Sequence, residues 1–254
     1  MYEQVCYQKS FLKQVIVRVD FATPLDSLEK NVPSKLLNSI VESFPIIEPA
    51  DVIAHELSLD GNAFKSKQTM NKQWNYFAKD RSRQLTLTPQ YIFVLYTAYR
   101  DFEETKEQFG IVVNALLKAF PDTKASRFGL RYINEIELPL DDPTAWNDYI
   151  TPTLLGSRDF FGPDDAITRL ISIAELKYND VGVRFQFGMP NPDYPAPLKR
   201  PLFILDLDAS VSQAHDLTEV MQYMDETHSR IQSVYERSIT NTLREKMNAR
   251  PVQE

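Results

Sequence analysis

Residues 127–139, RFGLRYINEIELP, alternate apolar and polar side chains with a period of two. An extended strand satisfies that pattern by turning one face to a core and the other to water. Phe128, Leu130, Tyr132, Ile136 and Leu138 share a face with Asn134, while Arg127, Arg131, Glu135 and Glu137 share the other with Ile133. So long a strand needs partners of the same kind, and the chain supplies them. VIVRVDF, residues 15–21, sets Val15, Val17, Val19 and Phe21 against Ile16, Arg18 and Asp20. FILDLD, residues 203–208, sets Phe203, Leu205 and Leu207 against Ile204, Asp206 and Asp208.

Around these strands the period changes twice. After Pro24 the sequence suggests short helical pieces interrupted at Pro33 and stopped at Pro45. VIAHELSLDGNAF then reads as a strand entering a turn at Asp60-Gly61, and QWNYFAKD, RQLTLTP and YIFVLYTAY continue an antiparallel meander. From Asp101 to Phe120, Phe102, Phe109, Val112, Val113, Leu116 and Phe120 recur at helical spacing. Asp101 followed by Glu104 suits a capping box, and Pro121 ends the run. A proline-marked mixed region precedes three more strands, in TRLISIAELKYND, VGVRFQFGMP and RPLFILDLD. From about Asp216 to Met247 the chain is helical, with one stripe running from Leu217 through Val220, Met221, Met224, Ile231, Val234, Tyr235, Ile239 and Leu243. Ser238 and Thr240 cap better than they propagate, which sets a break there. The expected fold is α+β, with long amphipathic helices packed on twisted antiparallel sheets. Two similar halves, 1–140 and 141–254, each run from strands into a long helix and pack as one compact unit, because no low-complexity linker divides them.

Composition narrows the chemistry. The 254 residues hold seven glycines against sixteen prolines, and neither GxGxxG nor GxxxxGK[ST] occurs, which argues against phosphate loops. The formal charge of -7 sets the overall field against a nucleic-acid backbone. Cys6, the only cysteine, excludes an internal disulfide and multi-cysteine zinc motifs, and it falls in an N-terminal stretch expected to be mobile. Residues 1–21 lack the apolar core of a signal peptide, and no run approaches a membrane span, so a cytoplasmic protein without membrane attachment is expected.

Three constellations could carry chemistry. If the charged strands are neighbours, Arg127 or Arg131 can form bidentate pairs with Asp206 or Asp208. Such pairs would make a cross-strand lattice worth about 0.2–1 kcal/mol each. The functional counterpart is a polar pocket in which the two aspartates hold a metal or Arg131 grips an anion. Pro163-Asp164, ten residues, and then Glu175-Leu176-Lys177 spell a metal-nuclease pattern, in which two acids bind a divalent cation and a lysine assists water. Among the three histidines, His228 lies on the apolar stripe with Asp225 three residues before it and Tyr235 two turns on, a setting for a hydrogen-bonded core residue. His55 alternates within a strand and His215 stands near a helix start, with no spacing that couples them. No GxSxG elbow is present.

The order RFGLRYIN, PLFILDLD and a helix containing DETHSRIQSVYERSIT, with WNYF and YIFVLYTAY in compatible places, resembles an uncharacterised, sporadically distributed bacterial family of about this length. RxGLRYIN is the marker. The resemblance implies no catalytic motif, cofactor or site, and sporadic distribution implies a role in mobile or defence-related loci.

The sequence therefore favours a scaffold reading of the marker strand, with Asn134 satisfying buried backbone groups. It favours a non-enzymatic cytosolic protein that binds or regulates another protein, without a cofactor and compatible with a homo-oligomer. Candidate contact residues are Arg127, Arg131, Asn134, Asp206, Asp208, His228 and Tyr235, with Tyr223, Met221 and Met224 added if the last helix is incompletely buried. The alternatives are a divalent-metal hydrolase or nuclease using Asp164, Glu175 and Lys177 or the Asp206 and Asp208 pair, and a small-ligand pocket between sheet and helix.

Overall fold

The computed structural model describes residues 5–60, 63–162 and 166–251, with side chains outside 52–71 and 249–251. Twelve strands and five α-helices are described: β1 (Val5–Tyr7), β2 (Leu12–Phe21), α1 (Ser34–Ile40), β3 (Ile46–Asp60), β4 (Ala63–Phe77), β5 (Arg83–Leu87), β6 (Tyr91–Tyr96), α2 (Phe102–Ala119), β7 (Lys124–Glu137), α3 (Pro152–Asp159), β8 (Leu170–Tyr178), β9 (Val181–Met189), β10 (Leu202–Val211), β11 (His215–Asp216), α4 (Val220–Ser238), α5 (Asn241–Met247) and β12 (Ala249–Pro251). This is the α+β class expected from the two periodicities. Ten strands form one unclosed antiparallel sheet in the order β3-β4-β5-β6-β2-β7-β10-β9-β8, with β11 also pairing β7. β1 and β12 make a separate two-stranded sheet. No described helix is long and apolar enough to cross a membrane.

The chain divides into two compact units, Ile16–Phe128 with Ser212–Met221, and Met1–Val15 with Gly129–Val211 and Gln222–Glu254. In the first, the meander is the consequence of short turns between β-rich runs, and β4, β5 and β6 pair in sequence order. β3 pairs with β4 at the sheet margin and carries Pro49, whose missing N–H suits an edge strand. Of the expected turn at Asp60-Gly61, Asp60 ends β3 opposite Ala63, and Gly61 lies outside the described residues. The amphipathic run from Asp101 forms α2, whose buried face includes Phe109, Val112, Val113 and Leu116. Half of the expected capping box forms: the Asp101 side chain accepts from the Glu104 N–H at 2.8 Å. The Glu104 carboxylate turns instead to Arg100 at 3.2 Å and to Gln108 at 3.1 Å. Phe109 meets Phe128 at 6.5 Å between ring centroids, and Val17 and Val19 are fully buried, each worth about 1.5–3 kcal/mol over exposure.

The second unit packs around the apolar faces of β7, β9 and β10. Leu205, Leu207 and Ala209 are fully buried, and Trp146 stacks at a tilt on Phe203 at 5.4 Å. β8 and β9 form a hairpin from Leu170↔Met189 to Tyr178↔Val181, turning through Asn179 at φ 51. Gly188 has φ 138, and a β-carbon there would stand 2.1 Å from the Leu170 carbonyl oxygen, so only glycine fits. α4 buries Met224, Ile231 and Val234 along the expected stripe. It ends at Ser238, and Thr240 caps α5 by accepting from the Leu243 N–H at 3.4 Å. At that break the chain is tied to the segment before α3. Ile239 bridges Ile150, Thr151 N–H donates to the Ser238 carbonyl at 2.9 Å, and Thr240 N–H donates to the Tyr149 carbonyl at 3.0 Å. Cys6, expected in a mobile stretch, lies instead in β1 opposite Arg250 of β12. Backbone pairing between the two ends of the chain fixes it there, which local composition does not reveal.

Candidate functional site

The charged face of the marker strand was the first candidate, and the two units use its arginines separately. In the unit that contains β10, Arg131 grips Asp206 with both prongs, Nε to Oδ1 at 2.7 Å and Nη2 to Oδ2 at 2.6 Å. The fork geometry is the one guanidinium and carboxylate share. The Asp206 side chain is 7% exposed against 38% for Arg131, so the acid lies beneath the base. Hydrogen bonding to Asp206 holds the Arg131 guanidinium above its ordinary pKa against the opposing effect of burial, and the Asp208 charge adds to the rise. Strand register extends the alternation outward: Asp208 stands opposite Arg184 of β9, and Arg184 opposite Glu175 of β8. In the unit that contains β6, Arg127 lies 3.7 Å from Asp20. Arg18 donates to the same carboxylate through Nε and Nη2, at 2.9 and 2.6 Å, and lays its guanidinium over the Tyr91 ring at 4.0 Å.

The buried polar candidates are engaged inside the fold. Asn134 is 4% exposed and its Nδ2 donates to the Leu205 carbonyl at 3.1 Å. His228 Nδ1 and the Tyr132 hydroxyl share a buried hydrogen bond at 3.0 Å. Tyr235 sets its ring edge against Tyr7 at 6.5 Å and donates to Met247 Sδ at 3.5 Å. Burial pushes its hydroxyl pKa well upward. Met224 is fully buried, and the Met221 methyl lies beside Gly110. In the last long helix Met224 is thus fully buried, while Tyr235 is part-buried and packs on Tyr7 and Met247.

Of the metal-nuclease spelling, Glu175 and Lys177 lie on the exposed face of β8, and Asp164 lies outside the described residues. Among the described residues, no three His, Cys, Asp or Glu side chains are grouped as a metal would need. His55 is part of β3 with its side chain outside the description, and His215 pairs with Ala125 through β11.

Two groups were not singled out by sequence reasoning. Glu236, 3% exposed, accepts from the Tyr7 hydroxyl at 2.8 and 2.9 Å and from Arg244 Nε at 2.9 Å. Burial and then the Glu236 hydrogen bond drive the Tyr7 pKa up. The Glu236–Arg244 ion pair joins α4 to α5, and the Tyr7 hydrogen bond ties β1 to the same carboxylate. The other group is Phe160 and Phe161, edge-to-face at 5.5 Å and 84% and 44% exposed. α3 supports them. Its N-terminal Thr151 donates through Oγ1 to the Arg237 carbonyl at 2.7 Å, and its Arg158 donates to the Thr144 carbonyl and to Asn147 Oδ1, each at 2.8 Å. Both phenylalanine N–H groups donate back into the helix, to the Gly156 and Arg158 carbonyls. The adjacent aromatics in RDFFG, bracketed by charge, were the available sequence signal.

Compared with protein-family models and with curated proteins, the chain matches none.

Proposed function

We propose that this chain is a non-enzymatic, cytosolic protein-binding protein that engages another polypeptide through the Phe160–Phe161 pair. The observation that carries the reading is the combination of exposure and anchorage at that pair: Phe160 stands largely in solvent and Phe161 partly so, directly after a helix tied to its surroundings near both ends. Large, rigid aromatics of this kind dominate binding energy when a partner pocket covers them. The charges on the marker-strand face support the reading from the other side, because Arg131 and Asp206 form a mutual bidentate pair within the sheet. A place in a mobile or defence-related locus, which the marker-strand resemblance implies, suits an accessory protein of this type.

The test is affinity capture from the native host with the wild type and with Phe160→Ala/Phe161→Ala as baits, followed by titration of the captured protein. The double variant is expected to fold normally and to bind about 30-fold or more weakly, the loss of a binding hot spot. Equal affinity of the two baits for the same partner would sink the assignment.

A further inference from the structure

Glu175 and Lys177, the acid and lysine of the nuclease-like spelling, stand where another use is open to them. β8 ends the sheet, with β9 along one edge and, among the described residues, no strand along the other. Tyr178 and Val181 close the two-residue turn of the hairpin. Hydrogen-bonding alternation from that closing pair directs the backbone N–H and C=O groups of Ile171, Ile173, Glu175 and Lys177 outward. Their side chains share the open face, where Ile173 is 53% exposed. The Glu175 carboxylate has no hydrogen bond or ion pair among the described residues, and the Lys177 ammonium donates to the Asp180 carbonyl of its own turn at 3.0 Å. A free edge of this kind is a template for an extended chain that matches it.

We propose that the matching chain is a second copy of this protein, joined by antiparallel pairing of β8 with β8 about a two-fold axis at Leu176. In a two-fold interface, residue i opposes j and j opposes i, so the strand must complement itself. Charge selects the register. An axis at Glu175 would set that carboxylate against itself, and an axis at Ala174 would set Glu175 against Ile173 and Lys177 against Ile171. An axis at Leu176 sets Glu175 against Lys177 twice, both among the outward-bonding residues, and Leu176 against Leu176 between them. Opposite charges directly across a strand pair are favourable and like charges are not. The same register brings Ile173 of each copy beside the turn of the other.

The proposal is tested by light scattering coupled to size exclusion on the wild type, on Glu175→Lys, on Lys177→Glu and on an equimolar mixture of the two variants, with circular dichroism to confirm that each is folded. The wild type is expected at twice the chain mass of 29.4 kDa, and each variant alone, which sets like charges opposite, at the chain mass. The mixture is expected to return to the doubled mass. One variant then carries ammonium groups at both positions and the other carries carboxylates at both, so each cross-strand pair is again of opposite sign. A monomeric wild type, single variants that stay dimeric, or a mixture that stays monomeric would each overturn it.

Discussion

Arg131 and Asp206 show how one pair settles the character of a whole strand. The aspartate is the more deeply placed partner, so removing the arginine strands a carboxylate that water reaches poorly. Arg131→Ala is expected to lower unfolding free energy by about 1–3 kcal/mol, measured by urea denaturation. Arg131→Met combined with Asp206→Leu is expected to lose less than Arg131→Ala alone, because no buried charge is left behind. A double variant as unstable as the sum of both single changes would show that the pair does not act as a unit. This contact was legible in the sequence, since alternation put both charges on strand faces of like character. Which arginine takes which acid was not, because that depends on neighbours: β10 lies beside Arg131, and Asp20 of β2 reaches Arg127. Glu236 was illegible for a different reason. Its partner Tyr7 is 229 positions away, and a charged residue near an apolar stripe reads as a solvated one.

Among the elements, α2 was the most readable, because eighteen residues of helical spacing begin at an N-cap and stop before a proline. Asp101→Ala removes the acceptor for the Glu104 N–H and is expected to cost about 1 kcal/mol, with faster amide exchange confined to the first turn of α2. Unchanged exchange there would mean that the cap contributes nothing. The break between α4 and α5 was equally readable from Ser238 and Thr240. α3 was hidden, since a helix of eight residues with Leu155 as its single buried residue leaves no stripe to find. The exposed aromatics it carries were missed with it.

For the whole molecule, hairpin neighbours followed from turns, but the strand order did not. β2 precedes every other strand of its sheet in sequence yet lies between β6 and β7, an arrangement set by long-range burial that no local pattern records. The same burial makes the molecule sensitive to base. Desolvation raises the Tyr76 hydroxyl from its ordinary 10.0 to about 12, and burial shifts Tyr7, Tyr96 and Tyr235 in the same direction. Tyrosines in the unfolded chain ionise first, so their contribution to stability is intact below pH 10 and falls as pH rises from 10 towards 12. Urea midpoints are expected to hold up to about pH 9 to 10 and then decline, with these hydroxyls titrating by ultraviolet absorbance as the protein unfolds; titration at ordinary values in the folded state would refute this. The tie at the helix break has a further consequence, for how such a chain can diversify. A loop between two helices is ordinarily where a protein accepts extra residues or new chain ends. Here the join is held on both sides by backbone bonds to residues 149–151, so lengthening it would release α3 and the aromatic pair that α3 carries.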